Sequence, residues 1–303
     1  MTVLSSLVSH LSRSRCRTVR LLRCGGGLGV SKAGLLTLVV VLGGCGSGEP
    51  PPLGRFDYPI PLAAKACPTG AVSGDPGVAD GISTTSGIQF NVRTPANYHG
   101  NYAHPLLVVF SPAGFSARTT EDFTGLTTAA TAAGFIIAYV NSYPLNVELI
   151  PRMAEVPKAV SERWCVNARR IYFTGHSDGG TIASALAFLP QSHGLAAGIA
   201  PSSAGVRGSD MQAYQCPPPL KVLIFHGAKD HLFPGYGREM ASWWARCNGC
   251  EAQASSSVGS GCIEYHGCRQ GGETIYCEGD HGHMQWPDRN MQLLKFFADS
   301  PHG

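Results

Sequence analysis

A serine with a glycine two positions to either side, in Gly175-His176-Ser177-Asp178-Gly179-Gly180, constrains this chain more than any other feature. The residues before it, Arg170 to Thr174, are β-branched and aromatic as in a short buried strand. Those after it, Thr181 to Leu189, are rich in Ala and Leu as in a helix. Strand, tight turn and helix make the context in which such a string presents a nucleophile; without them it is a small-residue turn with a solvated serine. Gly175 and Gly179 are predicted where strand and helix close on one another, and Ser177 is predicted to take sparsely populated backbone angles that push Oγ into the open.

The rest of the chain supplies the sheet that this turn requires. Leu106 to Phe110 and Phe135 to Val140 are continuous apolar runs, which read as strands covered on both faces, the mark of a parallel sheet, whereas Ile88 to Val92 alternates. Further strands are predicted at Ile171 to Thr174, Gly198 to Pro201, Val222 to His226 and Glu273 to Cys277. Helices are predicted at Thr120 to Ala133, Thr181 to Leu189, Gly235 to Cys247 and Asn290 to Ala298. Strands alternating with helices give a doubly wound α/β domain, with order starting near Gly81. With 303 residues, 44% hydrophobic and 14% charged, the chain can bury one large core and little more.

The first 44 residues differ in kind: Arg13, Arg15, Arg17, Arg20, Arg23 and Lys32 face no acidic residue, and the apolar run Ala33 to Leu42 follows. That run is about ten residues, short of the roughly 20 that span a bilayer, so residues 1–44 read as a signal peptide. It ends at Leu42-Gly43-Gly44-Cys45, which resembles a bacterial lipobox, so Cys45 is the expected lipidation site; ordinary secretion with cleavage near Gly43 to Gly48 is the alternative. The expected location is the cell envelope, with the membrane reached through the N-terminal lipid. Residues 45–80, with Glu49-Pro50-Pro51-Pro52, read as a Pro/Gly-rich tether and N-terminal segment, and residues 81–303 as the catalytic domain. Losing a leader with six basic and no acidic residues takes the formal charge from +3 to −3, and no basic patch with exposed aromatics remains, which argues against a nucleic-acid partner.

Eight cysteines lie beyond Cys45: Cys67, Cys165, Cys216, Cys247, Cys250, Cys262, Cys268 and Cys277. In an exported chain an even number reads as four disulfides, of undetermined pairing. The rivals are a zinc site from Cys247-x-x-Cys250 with Cys262 and Cys268, or a redox-active C-x-x-C.

A serine hydroxyl is a poor nucleophile at neutral pH; it needs an imidazole to take its proton and a carboxylate to hold that imidazole. In a doubly wound domain of this kind the order is Ser, then Asp or Glu, then His, each at the carboxyl end of a strand. The run Val222 to His226 leads into Gly227-Ala228-Lys229-Asp230, which puts Asp230 at a strand end as the candidate acid. After the last strand come His281 and His283, and His283, followed by Trp286-Pro287, is the preferred base. The oxyanion donors are expected to be the amide of Asp178 and that of Ala113 or Gly114 in the loop Ser111 to Phe115, since Pro112 has no N–H.

Together, G-H-S-D-G-G around Ser177, H-G-A-K-D-H-L-F-P around Asp230 and G-H-x-x-W-P around His283 resemble the polyhydroxybutyrate depolymerase and feruloyl/acetylxylan esterase group of the α/β-hydrolases, over roughly Gln89 to the C-terminus. Cys165-Val166-Asn167 and Cys216-Pro217 fit the same pattern. The resemblance implies an α/β-hydrolase fold with a mostly parallel central sheet, and hydrolysis of carboxylic esters through an acyl-enzyme with neither metal nor organic cofactor. Two departures stand out: Ser111-Pro112 replaces the group's His-Gly, and His283 precedes Trp286 by three residues rather than two. A serine peptidase of the same fold and a catalytically silent envelope-binding lipoprotein are the alternative functions. Trp243 and Trp244 admit two readings, core packing or, with the cysteine-rich stretch Cys247 to Cys277, a carbohydrate- or polymer-gripping surface, of which core is preferred.

Overall fold

The computed structural model describes residues 48–59, 67, 73–251 and 255–298. The expected leader and Cys45 lie outside the described residues, as do parts of the 45–80 segment. Among the described residues, β1 (Val78–Ser83), β2 (Gln89–Arg93), β3 (His104–Phe110), β4 (Ile136–Val140), β5 (Val166–His176), β6 (Gly198–Ser202), β7 (Lys221–Lys229), β8 (Ser255–Ser257), β9 (Cys262–Tyr265) and β10 (Glu273–Gly282) form one sheet, in the order β1-β2-β4-β3-β5-β6-β7-β10-β9-β8. From β4 to β10 the neighbours in that order run parallel, and antiparallel strands extend both edges. The helices are α1 (Ala117–Thr124), α2 (Thr127–Ala132), α3 (Leu149–Met153), α4 (Val156–Ser161), α5 (Asp178–Phe188), α6 (Gly208–Met211), α7 (Tyr236–Cys247) and α8 (Asn290–Ala298).

The continuous apolar runs are buried on both faces because successive side chains point to opposite sides of the sheet. Leu106, Val108 and Phe110 join a layer with Phe173, Leu186 and Trp244. Leu107 and Val109 join the opposite layer with Tyr172, Phe225 and Phe297. Trp243 and Trp244 are both buried, which removes them from any gripping surface and makes the pair core.

Four differences from the sequence reading have physical causes. The helix expected over Thr120 to Ala133 is two helices, because Gly125 caps α1 in the left-handed conformation at φ 58°. The sheet begins before Gly81, with β1 pairing antiparallel with β2. Residues 48–59, expected as part of a spacer, lie along the domain: Arg118 Nη2 donates to the Glu49 carbonyl at 2.6 Å, Thr128 Oγ1 to the Pro52 carbonyl at 2.7 Å, and the Gly54 amide to Thr131 Oγ1 at 2.7 Å. The short helices α3 and α4 do carry start signals, Asn146 Oδ1 accepting the Leu149 amide at 2.9 Å and Pro157 in the first turn of α4, but at five and six residues neither is long enough to show a helical period in the sequence.

The eight cysteines form four disulfides: Cys67–Cys165, Cys216–Cys247, Cys250–Cys268 and Cys262–Cys277. Cys247 and Cys250 each pair elsewhere, so neither a C-x-x-C redox pair nor a zinc site built on four thiolates exists. Cys262 and Cys277 are direct partners across β9 and β10, so sheet register sets that pairing.

Candidate active site

Ser177 stands between the end of β5 and the first residue of α5, at φ 55° and ψ −117°, one of three non-glycine residues with positive φ among those described. The strain is held by its surroundings. The Ser177 amide donates to the Ser202 carbonyl at 2.9 Å. A Cβ on Gly179 would lie 1.9 Å from the Phe110 carbonyl oxygen, and one on Gly175 would lie 2.6 Å from the same atom. Only glycines let the start of α5 press this close to the end of β3, and that contact brings the 111–115 loop beside the serine.

The Ser177 hydroxyl donates to His283 Nε2 at 2.9 Å, and His283 Nδ1–H donates to Asp230 Oδ2 at 2.8 Å. The tautomer follows from the partners, since a carboxylate only accepts, leaving Nε2 as the acceptor for the hydroxyl. Asp230 is buried and its other oxygen accepts the amides of Leu232 and Phe233, each at 3.0 Å. Burial alone would raise its carboxyl; the bonds from His283 and Phe233 outweigh this and hold it at about 2. Ser177 itself remains partly open.

His281, the other candidate base, is placed elsewhere: its ring lies over Gly227 and Gly279, and its Nδ1 meets the Gly282 carbonyl. Of the expected anion donors, the Asp178 amide heads α5. In the loop after β3 the Phe115 amide donates to the Pro112 carbonyl at 3.1 Å, closing a turn with Gly114 at φ 78°. Ala113 and Gly114 are exposed there, and neither amide donates to a protein acceptor among the described residues. The Asp178 carboxyl is raised by burial, with the nearby His283 opposing.

Two buried histidines frame the site in ways the sequence did not announce. His176 Nε2–H donates to the His283 carbonyl at 2.6 Å, and its Nδ1 meets Ser202 Oγ at 3.0 Å. His226 Nε2–H donates to the Phe233 carbonyl at 2.8 Å, under the loop that carries Asp230. Burial holds His176 neutral, down to about 4, and lowers His226 in the same direction. The sequence signal for His176 was its place beside Ser177.

Aromatic rings surround these groups. Phe123 packs edge-on against Phe115 at 5.5 Å and His176 at 5.3 Å, with Trp286 at 6.4 Å; Phe233 packs on His283 at 5.1 Å and on Tyr236 at 5.4 Å. Leu232 and Met284, each close in sequence to Asp230 or His283, are 57% and 74% exposed. Among the described residues no group of three His, Cys, Asp or Glu side chains is placed to hold a metal ion, and no helix is long and apolar enough to cross a membrane.

No protein-family model matches the chain. It is 26% identical to feruloyl esterase D of Neurospora crassa over 260 residues, covering 75% of this chain and 86% of the relative. It is 24% identical to feruloyl esterase B of Piromyces equi over 235 residues, 64% of this chain and 43% of that longer protein. In fold it is similar to an acetyl xylan esterase from Aspergillus awamori, with a TM-score of 0.55 at 15% identity, covering 73% of this chain and 97% of the other. The architecture is an α/β-hydrolase fold, as the motifs implied, and the similarity to feruloyl esterases in sequence and to an esterase in fold supports a carboxylic ester hydrolase.

Proposed function

We propose that this ester hydrolase is an exported serine esterase of the feruloyl-esterase type, working through Ser177, His283 and Asp230. The observation that carries the reading is the unbroken run of contacts from the serine hydroxyl through His283 to Asp230, at 2.9 and 2.8 Å. Those are the separations at which a proton moves between a hydroxyl and an imidazole.

In this reading Ser177 Oγ attacks the ester carbonyl while His283 Nε2 takes its proton, and Asp230 stabilises the imidazolium that forms. The oxyanion is met by the amide of Asp178, at the positive end of α5, and by that of Ala113 or Gly114. His283 then protonates the leaving alcohol, and water, activated by the same nitrogen, releases the acid from Ser177. Every step uses groups of this chain, with neither metal nor organic cofactor.

Aromatic rings about the site, Phe233 on His283 and Phe123 between His176 and Trp286, favour an aryl or other uncharged acyl group over an anionic one, and the two feruloyl esterase relatives point the same way. That ranks ferulate-type esters above acetylated xylan, and both above polyhydroxybutyrate. Four disulfides fit folding in an oxidising compartment. Acylation at Cys45 would then fix residues 81–303 to the envelope membrane.

The test is a panel of methyl ferulate, p-nitrophenyl acetate and butyrate, acetylated xylan and short-chain polyhydroxybutyrate, with a peptide amide alongside. The reading expects highest kcat/KM on the ferulate ester; cleavage of the amide in preference to every ester overturns it.

A further inference from the structure

His176 precedes the serine by one residue, and its buried ring reaches the loop on which the base sits. The strand β10 stays in register with β7 only as far as Gly282 opposite Lys229, with a shift in the ladder between Gly279 and Gly282. His283 is the first residue beyond that pairing. Its carbonyl is taken by His176 Nε2–H at 2.6 Å, its partner among the described residues, across 107 positions of sequence.

The other nitrogen of His176 is also committed. Nε2 faces a carbonyl and must carry the proton, so Nδ1 accepts from the Ser202 hydroxyl at 3.0 Å. Ser202 supplies the carbonyl that holds the Ser177 amide at 2.9 Å. A closed ring of hydrogen bonds results: Ser177 to Ser202, Ser202 to His176, His176 to His283, and the Ser177 hydroxyl back to His283 Nε2. The backbone of the nucleophile and the backbone of the base are thereby fixed to the same strand end, β6.

We infer that His176 is a positioning residue for ester hydrolysis, a neutral imidazole that sets where His283 Nε2 stands relative to Ser177 Oγ. This rests on the reading of Ser177, His283 and Asp230 given above. Charge supports the neutral state: the rings of His176 and His283 are 5.3 Å apart, and a second imidazolium there would oppose the one that forms as the serine proton is taken. Ser202 faces His176 from β6, Phe123 from α1 and Trp286 from the loop after β10, while the charged or titratable groups near it are His283, Asp230 and His281. Burial keeps its own titration near 4.

The experiment measures kcat and KM on p-nitrophenyl butyrate for the full chain and for His176→Leu, His176→Gln, Ser202→Ala and Ser177→Ala. Folded fraction is fixed by near-UV circular dichroism, and the low-field proton of His283 Nδ1 is followed by NMR. Because misplacing a reacting group by about 1 Å can cost about 100-fold, His176→Leu is expected to lower kcat by about 30- to 100-fold with KM nearly unchanged. Gln, which keeps an N–H near the position of Nε2, should recover most of that loss. Ser202→Ala, which removes the hydrogen bond that holds Nδ1 and lets the ring tilt while the His283 carbonyl keeps the proton on Nε2, should lie between the two and shift the low-field proton. A folded His176→Leu protein with kcat within about twofold of the parent overturns the inference, as does a Gln variant as slow as Leu. If the Leu variant does not fold, parental kcat in Ser202→Ala overturns it instead. Residual turnover in Ser177→Ala is a different failure, since it removes the reading on which the inference rests.

Discussion

His283 Nε2 lies 2.9 Å from Ser177 Oγ although 106 positions separate the two in sequence. The contact is produced by two strand ends: β5 delivers the serine into a strained turn, and β10 delivers the histidine one residue after it leaves the sheet. Both are parallel strands of the same sheet, so their carboxyl ends open on the same edge.

Replacing Asp230 by Asn should separate geometry from charge. The Asn carbonyl can still accept the Leu232 and Phe233 amides, so the loop keeps its shape, but the group facing His283 no longer selects the Nδ1–H tautomer. A fall in kcat of about 10³ to 10⁴ is expected in a protein that melts somewhat lower but stays folded at the assay temperature. Steady-state kinetics with a thermal melt decide it, and a loss under about tenfold would remove Asp230 from the proton pathway.

The fold should lose stability in mild acid because buried histidines are kept neutral. Burial holds His104 and His176 at about 4 and lowers His226 as well. As pH falls through about 6.5 the unfolded chain binds protons that the native state refuses, so stability declines from there to about pH 4 and levels off below. Asp230 acts at still lower pH, where its stabilisation is lost as pH drops from about 4 toward 2. Urea denaturation at pH 7 and pH 5 should differ by about 3 kcal/mol or more. His104 lies away from the serine, with its Nδ1 bonded to the Gly134 carbonyl at 2.7 Å, so His104→Gln should flatten this slope without touching the triad.

A buried ion pair fixes β2 to α1. Arg93 and Glu121 are both fully buried and joined by two bonds, Nε to Oε1 at 2.8 Å and Nη2 to Oε2 at 2.7 Å. Glu121→Gln leaves a desolvated guanidinium with only the half-exposed Asp80 as an acidic partner, and should cost about 3 to 5 kcal/mol. The double variant Arg93→Met with Glu121→Leu should recover much of that loss. Equal destabilisation of both in denaturant melts would argue against a charge-burial origin.

The tight approach of α5 to β3 predicts a sharp contrast between glycines. Gly179→Ala drives a Cβ to 1.9 Å from the Phe110 carbonyl oxygen, so the helix start must move and carry Ser177 with it. Gly194→Ala meets nothing within 4 Å and faces only its positive φ of 90°, a cost of about 1 to 2 kcal/mol. Soluble yield and esterase rate should collapse for the first and change little for the second.

Much of this arrangement was legible in the sequence where one requirement dominated. Leu106 to Phe110 read as a strand because both its faces are covered, and Ser177 because its turn needs glycines on both sides. Asp230 followed from the strand ahead of it. The choice between His281 and His283 was less legible, since both follow the strand expected at Glu273 to Cys277 with the same parity, whereas β10 runs on to Gly282 and contains His281; the shift in its ladder between Gly279 and Gly282 sets how the chain leaves the sheet. Such a bulge has no composition signature here. The pairing of Cys262 with Cys277 depended on strand register, and the break at Gly125 on a cap conformation that Ala- and Thr-rich flanks concealed.

The most direct measurement is to treat the full-length chain with a fluorophosphonate ester probe and identify the modified residue by mass spectrometry, with Ser177→Ala in parallel. The account predicts one adduct, on Ser177, with the variant unlabelled and unable to hydrolyse methyl ferulate. An adduct on another residue, or turnover by folded Ser177→Ala close to the parent rate, would contradict it.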